Sequence, residues 1–380
     1  MHDVIVVGSG PAGSYLSYSL SKKGYNVLNL EEHKEIGKPV ECTGLVSKRV
    51  FDYIKSNSRI NSVHGANIYF PNGKYIHVRK TEETIVMYRD DFDKDASAMA
   101  ISAGADVSIN SRVMDVSINN EYAEVKYKKN GEIMYAKAQI VAGADGANST
   151  VRKILYRERP EKIISTYQVD SAARLEDQDD VNVYIGSHNS RGFFGWAVPS
   201  GDITRIGVGV DRVNAIKYFK NINKTYGDNK IIGINAGPIP IRYLKKTYGN
   251  RSVLVGDAAG IVKPLSGGGI YTGIVSAKNA AEAIDRSFQH EDFSEKSLSL
   301  YEKLWKKEIG RELKMDARIQ DYYSRLSIND RLLNKIYNAI NNENIINKIN
   351  SLGDIDYPSR VVISVIFKRP QLLKYLIFRK

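Results

Sequence analysis

The sequence predicts an α/β fold in which a parallel-sheet domain is interrupted by an inserted antiparallel sheet and followed by a helical region. Three observations lead there. The chain opens on the apolar run Val4-Ile5-Val6-Val7, of strand length, which ends in the glycine turn Gly8-Ser9-Gly10-Pro11-Ala12-Gly13. Two later apolar runs also end in glycine and acid, at Gly143-Ala144-Asp145-Gly146 and at Gly256-Asp257. Between them, residues 163–210 fall into long alternating strands, the pattern of an antiparallel sheet.

The first 31 residues read as one βαβ unit of Rossmann-like type. Residues 14–23 form a helix closed by Gly24, and a second strand ends at Glu31. Gly8 allows the tight turn, Gly10 admits a pyrophosphate close to the backbone, and Gly13 lets helix and strand approach. Pro11 suits a first helical turn, where no N–H is needed, and Ala12 completes the turn. Glu31 lies eighteen residues beyond Gly13, the separation at which a carboxylate meets a ribose 2′-OH. Strand, helix and distal acid together make dinucleotide binding the reading of this segment.

A polar loop over 32–40 leads to Glu41-Cys42-Thr43-Gly44-Leu45 and a helix over 47–54. Residues 60–78 read as a hairpin about Pro71-Asn72-Gly73. Arg89-Asp90-Asp91 open a helix that runs to Ala103, with acids complementing its dipole. Strands follow at 105–109, 113–119, 121–128 and 132–138, the last two joined by Asn130-Gly131, and then the run into Asp145, with Arg152 beyond it. The inserted sheet takes strands over 166–175, 180–187, 193–198 and 204–210, and a helix over 215–226. The parallel pattern resumes at 251–260, and Gly267-Gly268-Gly269 open a long helix with Ile270, Ile274, Ala277, Ala281 and Ile284 on its buried stripe. From Phe293 the chain reads as amphipathic helices. The expected division is therefore 1–60, 80–162 and 247–290 for the dinucleotide domain, 61–79 and 163–246 for the inserted substrate domain, and 291–380 for the helical region.

Lys and Arg exceed Asp and Glu by twelve, a surplus that favours an anionic partner: nucleic acid, an acidic membrane surface or a phosphorylated substrate. The only cysteine, Cys42, excludes an intramolecular disulfide and a Cys-based zinc cluster, and it fits a reducing cytoplasm. His188 and His290 have no partner at ligand spacing and read as surface residues, so no metal is expected. The βαβ unit starts almost at Met1, so no signal peptide is expected, and the late apolar run 361–367 falls short of the roughly 20 residues that span a bilayer.

The glycine fingerprint, the Asp145-Gly146 segment and the Gly256-Asp257 segment, in this order, resemble the flavoproteins that include the aromatic hydroxylases. The resemblance covers roughly residues 1–290 and implies FAD as the dinucleotide. It implies that Gly8, Gly10, Ala12 and Gly13 cradle the cofactor, that Glu31 holds the adenosine ribose, and that Asp257 holds the ribitol. Gly268, Gly269 and Ile270 would face the flavin pyrimidine, Arg89 would contact the cofactor, and Val113 would meet adenine through its backbone. Phe194-Gly195-Trp196-Ala197-Val198-Pro199, with Gly207-Val208-Gly209 downstream, resembles the pattern of the geranylgeranyl reductases, including the archaeal enzymes of ether-lipid synthesis. Two positions depart from it: Phe194 stands for Tyr and Val198 for Phe, which keeps an apolar wall but removes a hydroxyl. The loop of Cys42, Thr43 and Gly44 resembles the reductases' cysteine-glycine loop beside the isoalloxazine, which makes Cys42 the catalytic candidate; its plain alternative is a buried small hydrophobe. Phe194, Trp196 and Pro199 are the candidate substrate wall, with ordinary sheet core as the alternative for the aromatics.

The resemblance implies an FAD-dependent reductase that saturates C=C bonds of geranylgeranyl chains in membrane-lipid precursors. A prenylated lipid is the expected substrate, and the expected electron donor is ferredoxin, a small carrier or NAD(P)H; nucleic acid is not an expected partner. Flavin halogenases carry a related Trp-x-Trp-x-Ile-Pro pattern, so a flavin-dependent monooxygenase or halogenase acting on an aromatic substrate is the alternative. The expected location is cytoplasmic and peripheral at the inner membrane face. The tail 370–380, with Leu372, Leu373, Leu376 and Ile377 on one helical face, reads either as an interfacial helix or as a helix docked on the core.

Overall fold

The computed structural model describes residues 1–372, and the part of the expected interfacial tail over 373–380 lies outside them. The chain begins with β1 (His2–Val7), α1 (Pro11–Ser21), β2 (Val27–Leu30), β3 (Leu45–Ser47), α2 (Val50–Tyr53), β4 (Arg59–Tyr69), β5 (Tyr75–Met87) and α3 (Arg89–Ser102). It continues through β6 (Asp106–Ser108), β7 (Ser111–Ile118), β8 (Ala123–Lys129), β9 (Glu132–Gly143), β10 (Ile163–Ser171), β11 (Asp180–Tyr184), β12 (Gly195–Ser200), β13 (Ile203–Asp211) and α4 (Ala215–Asn223). Last come β14 (Ile231–Pro240), β15 (Tyr248–Gly249), β16 (Ser252–Leu254), α5 (Ile270–Gln289), α6 (Glu295–Trp305), α7 (Arg311–Leu326), α8 (Asp330–Ile340), α9 (Glu343–Leu352) and α10 (Ser359–Lys368).

The first sheet has the parallel order β16-β9-β1-β2-β6, with β15 added antiparallel and β7 and β8 continuing from β9 as a meander. β1 pairs in parallel with β2 and β9, so Val4, Ile5 and Val6 are fully buried, as an unbroken apolar strand requires when helices cover both faces. Arg152 explains why the two later glycine-acid segments lie together. Its buried guanidinium donates to the carbonyls of Ala147 (2.6 Å) and Ala258 (3.1 Å), clipping one strand end to the other. Asp145 itself is spent as a helix cap, accepting from Ser149 Oγ (2.5 Å) and the Thr150 N–H (2.6 Å).

The second sheet has the order β14-β10-β13-β12-β11-β4-β5-β3, antiparallel except where β11 meets β4. It takes more of the chain than expected, because β4 and β5 run over 59–87 and Leu45–Ser47 pairs with them as an edge strand. The helix expected over 47–54 is therefore only the single turn Val50–Tyr53; edge pairing satisfies the backbone of Leu45–Ser47 instead. β14 is not among the expected strands, and its sequence carries Gly233, Gly237, Pro238 and Pro240. It forms because an edge strand tolerates proline where no ladder partner needs the N–H.

Strand alternation gives this sheet two unlike faces. Val169, Ala197, Ile206 and Val208 pack under α4 through Phe219 and Ile222. On the other face, Val63, Val86, Val181 and Val198 form an apolar patch with Trp196, Leu45, Ala66 and Val183. Further along this face Phe70 and Ile76 pack against Leu326, Leu332, Leu333 and Tyr337 of α7 and α8. The carboxy-terminal helices thus strap the two sheets together. Tyr301 and Trp305 of α6 are buried against the first sheet, and Gln320 and Tyr323 of α7 donate to the Gly192 (2.8 Å) and Phe193 (2.6 Å) carbonyls beside the second. Among the described residues no helix is long and apolar enough to cross a membrane.

One buried carboxyl on that strap is uncompensated. Asp316 is fully buried and neither oxygen has a hydrogen-bond partner; burial, then the nearby Glu312 charge, pushes its pKa up to about 8. A raised folded-state pKa means that stability is greatest below the unfolded value near 3.8 and is lost as pH rises towards 8. Asp316→Asn should remove that loss. The gap in unfolding free energy between variant and native protein, measured by denaturant titration, is expected to widen from pH 4.5 to 8, reaching on the order of 2–4 kcal/mol. A pH-independent gap would show that Asp316 ionises freely in the folded chain.

Candidate active site

The site begins where β1 runs into α1. Added Cβ atoms at Gly8 and Gly13 would strike backbone: at Gly8 the Ala144 carbonyl oxygen at 2.5 Å, and at Gly13 the Gly8 carbonyl. An added Cβ at Gly10 would meet no atom within 4 Å, leaving open space in front of the first-turn amides of α1. Ala12 is the reverse case, its methyl wedged between Gly256 and Gly273 so that α1 seats on α5. Glu31, at the end of β2, turns back to this loop: Oε2 accepts from the Ser9 N–H (2.8 Å), while Oε1 accepts from the His33 N–H (3.0 Å). Ser111 at the start of β7 donates its N–H to the Glu31 carbonyl (2.7 Å), which brings the strand carrying Val113 beside the same acid.

Asp257 follows β16 and faces the start of α5. An added Cβ at Gly269 would lie 2.5 Å from its Oδ1, so glycine there is what leaves room for the carboxylate. Burial raises the Asp257 pKa, with Arg89 and Arg152 pulling it back. Among the described residues no group hydrogen-bonds this carboxylate, which suits an acceptor waiting for a polyol hydroxyl. Gly268 backs onto the Lys263 side chain, and Gly267 lies against Phe193 and Ile239.

The third wall is the loop of Cys42, Thr43 and Gly44. Gly44 donates its N–H to Cys42 Sγ (3.2 Å), and Arg89 turns its positive charge towards the same sulfur. Arg89 is aimed by the buried Asp93, which accepts from it at 2.7 and 2.9 Å one turn along α3. Sequence reasoning missed two residues that hold this loop. Gln168 of β10 accepts from Thr43 Oγ1 (2.7 Å) and from Trp196 Nε1 (2.9 Å), and Arg205 of β13 donates to the carbonyls of Thr43 (2.6 Å) and Met87 (3.0 Å). Both sit on strands of the inserted sheet. Their one sequence signal was polarity at inward-facing positions.

Of the candidate wall residues, Phe194 and Trp196 belong together and Pro199 does not. The Phe194 ring stacks on Phe193 (4.3 Å between centroids) and meets the edge of Trp196 (6.0 Å). Pro199 is one strand position out of phase with Trp196 and shares the face of Ala197, which packs under α4. The face that Trp196 presents therefore continues through Val198, and Pro199 lies on the opposite face. Arg89 ties these groups together: its charge bears on Cys42 and on Asp257, Asp93 beside it feels the Glu31 charge, and Gln168 joins Trp196 to Thr43 next to Cys42, while His188 and His290 are exposed surface residues. Among the described residues no His, Cys, Asp and Glu cluster could hold a metal ion.

A parallel sheet with a glycine turn at its centre, an acid at the end of β2 bonded back to that turn, and a buried carboxylate at the start of α5 are the frame of an FAD-dependent flavoprotein. Residues 1–303 match the family model described as FAD binding domain. The chain is 30% identical to the digeranylgeranylglycerophospholipid reductase of Methanococcus vannielii, over 98% of this chain and 97% of that one, and it belongs to that reductase family. It is also 33% identical to an uncharacterized protein of Methanocaldococcus jannaschii, over 96% of this chain and 95% of the relative. Among solved structures it superposes on a geranylgeranyl bacteriochlorophyll reductase-like protein of Thermoplasma acidophilum with a TM-score of 0.87 and 27% identity, covering 99% and 98% of the two chains. A flavin-dependent halogenase shares the fold alone, with a TM-score of 0.71 at 16% identity over 98% of this chain and 78% of its own.

With FAD as the cofactor, Asp257→Ala should lower its occupancy in the purified protein. Losing a charge-assisted acceptor weakens a cofactor hydroxyl contact by about 1.5–3 kcal/mol. Flavin absorbance per protein after dialysis measures it, and full retention would remove Asp257 from the cofactor site.

Proposed function

We propose that this chain saturates isolated C=C bonds of geranylgeranyl chains in precursors of archaeal-type ether phospholipids. The observation that carries the reading is the apolar inner face of the second sheet, from Trp196 through Val198, Val181 and Val183, which begins at the Cys42 loop. An extended hydrocarbon needs such a wall, and an aromatic ring of one or two cycles does not.

When bound, reduced FAD supplies the hydride to one alkene carbon. The chain's own residues bind and align. Glu31 would hold a ribose hydroxyl, Asp257 a ribitol hydroxyl, the amides of α1 the pyrophosphate, and the backbone of Gly268, Gly269 and Ile270 the pyrimidine edge. Cys42 and Arg89 would border the reacting ring, and Phe194 and Trp196 would keep water from the alkene. An unconjugated alkene has no carbonyl to absorb hydride charge, so a proton must reach the second carbon before or during transfer. Electrons would enter from ferredoxin, a small carrier or NAD(P)H. Lipid mass spectrometry after anaerobic incubation of dithionite-reduced holoenzyme with a digeranylgeranyl phospholipid should record the gain of H₂ per bond. No gain, with oxygen uptake coupled to an aromatic substrate, would instead establish the monooxygenase or halogenase reading.

A lipid substrate implies contact with a membrane, and α10 supports it. Val361, Val362, Ile363, Val365 and Ile366 are each partly exposed, Phe367 is 80% exposed, and Arg360, Lys368 and Arg369 flank them. Removing residues 370–380 and replacing Lys368 and Arg369 by Gln should reduce sedimentation with anionic liposomes, each cation contributing on the order of 1 kcal/mol at low salt. Equal sedimentation would return this helix to a purely structural role.

A further inference from the structure

The two segments that carry the likeness to reductases, the Cys42 loop and the Trp196 strand, lie about 150 residues apart in the chain and meet through one side chain. The register of the second sheet explains how. Asn235 of β14 pairs with Gln168 of β10, Gln168 with Gly207 of β13, and Gly207 with Trp196 of β12, so four positions lie in one row across four strands. All four face the first domain. In this row Gly207 contributes no side chain, and the indole of Trp196 lies across it: an added Cβ at Gly207 would be 2.5 Å from the indole ring. The indole N–H thereby reaches Gln168 Oε1 on the far side (2.9 Å).

Gln168 is 4% exposed, and its amide is engaged on both sides. Oε1 accepts from Trp196 and from Thr43 Oγ1, while Nε2 lies 3.4 Å from the Cys42 carbonyl. The neighbouring strands complete the grip. The Asn235 amide, oriented with its nitrogen inward, donates to the Val40 carbonyl, and Arg205 holds the Thr43 carbonyl. The loop has no regular secondary structure of its own over 40–44, so side chains from the sheet set its course.

We propose that Gln168 is the positioning residue that locks the Cys42-Thr43 loop to the Trp196 wall, with Gly207 as the slot that lets the indole reach it. The consequence is that the cofactor-side loop and the substrate-side aromatic hold one relative geometry. An apolar chain that moves the indole acts on the loop through this amide. The proposal rests on the reading of the Cys42 loop as the flavin edge of an alkene-reducing site.

The test uses FAD-replete holoenzyme and three variants, Gln168→Met, Gln168→Glu and Gly207→Ala. Gln168→Met fills the same volume without polar atoms, and Gly207→Ala dislodges the indole while keeping both partners. Gln168→Met and Gly207→Ala should both speed alkylation of Cys42 by iodoacetamide on the order of ten-fold, because the loop opens more often without these bonds. Both should also shift the flavin midpoint potential, which a loss of global stability alone would leave in place. Gln168→Glu keeps an acceptor for Thr43 and Trp196, so its alkylation rate should return towards the native one. In single turnovers Gln168→Met should lower the rate at saturating prenyl alkene more than it raises the half-saturating concentration. Native alkylation and native potential in folded Gln168→Met would overturn the proposal. These two readouts need no prenyl substrate. An enzyme that reduces no prenyl alkene at all would refute the proposed function while they still decide the role of Gln168.

Discussion

Gly13→Ala should yield a colourless protein that melts earlier than the native chain. Its new Cβ would fall on the Gly8 carbonyl oxygen and lie 3.0 Å from Ala144 Cβ. Neither can retreat, since the Gly8 N–H donates to Leu30 (2.8 Å) and the Ala144 N–H to Val7 (2.8 Å), which ties both to the register of the parallel sheet. α1 must therefore lift from the turn. Overpacking of this kind costs about 1–3 kcal/mol, and here it also displaces the amides that face the pyrophosphate. Gly10→Ala separates the two effects. It meets nothing within 4 Å in the protein, so the melting temperature without FAD should stay native while FAD affinity falls. Absorbance at the flavin band and melts with and without added FAD measure both. A yellow Gly13→Ala protein, or native FAD affinity in Gly10→Ala, would disqualify this turn as the cofactor cradle.

The second large effect is expected at Lys263→Met. Lys263 and Asp356 form a buried ion pair (2.8 Å), 5% and 3% exposed, and Lys263 also donates to the Ile355 carbonyl (2.7 Å). The pair joins the loop before Gly268 to the segment between α9 and α10, and Arg49 reinforces it through Asp354 (2.9 Å) and Asp356 (3.0 Å). Removing the ammonium strands a buried carboxylate, a defect that costs about 3–5 kcal/mol; the remaining Arg49 contact places the expected loss at the lower end. The readouts are the melting temperature and limited proteolysis, with faster cleavage expected between α9 and α10. Lys263→Met combined with Asp356→Leu should recover most of the loss, because an apolar pair of similar volume avoids the desolvation cost. A single variant as stable as the native chain would mean that the pair is solvated in solution.

The amino-acid order alone determined the dinucleotide unit, because each of its requirements is local. A tight turn, a close backbone approach and a helix start are set by residues within a dozen positions, and Glu31 is carried to the turn by one strand. The alternation of the inserted sheet and the stripe of α5 were legible for the same reason: periodicity is a property of neighbours. The likeness of the 194–199 segment to reductases singled out Phe194 and Trp196, and strand parity sets Pro199 on the opposite face from Trp196. What only the tertiary structure decided is everything that depends on register between distant strands. The pairing of 45–47 with β5, the edge strand β14 with its prolines, and the packing of α7 and α8 on the far end of the apolar face are choices among long-range partners. Gln168 is the sharpest case. Nothing near it in the chain marks it, and it acquires its place because one row of the sheet sets it between Asn235 and Gly207, opposite a loop 125 residues away. A buried amide among strand residues reads locally as a tolerated polar side chain. Its hydrogen-bond partners exist only once the fold has closed.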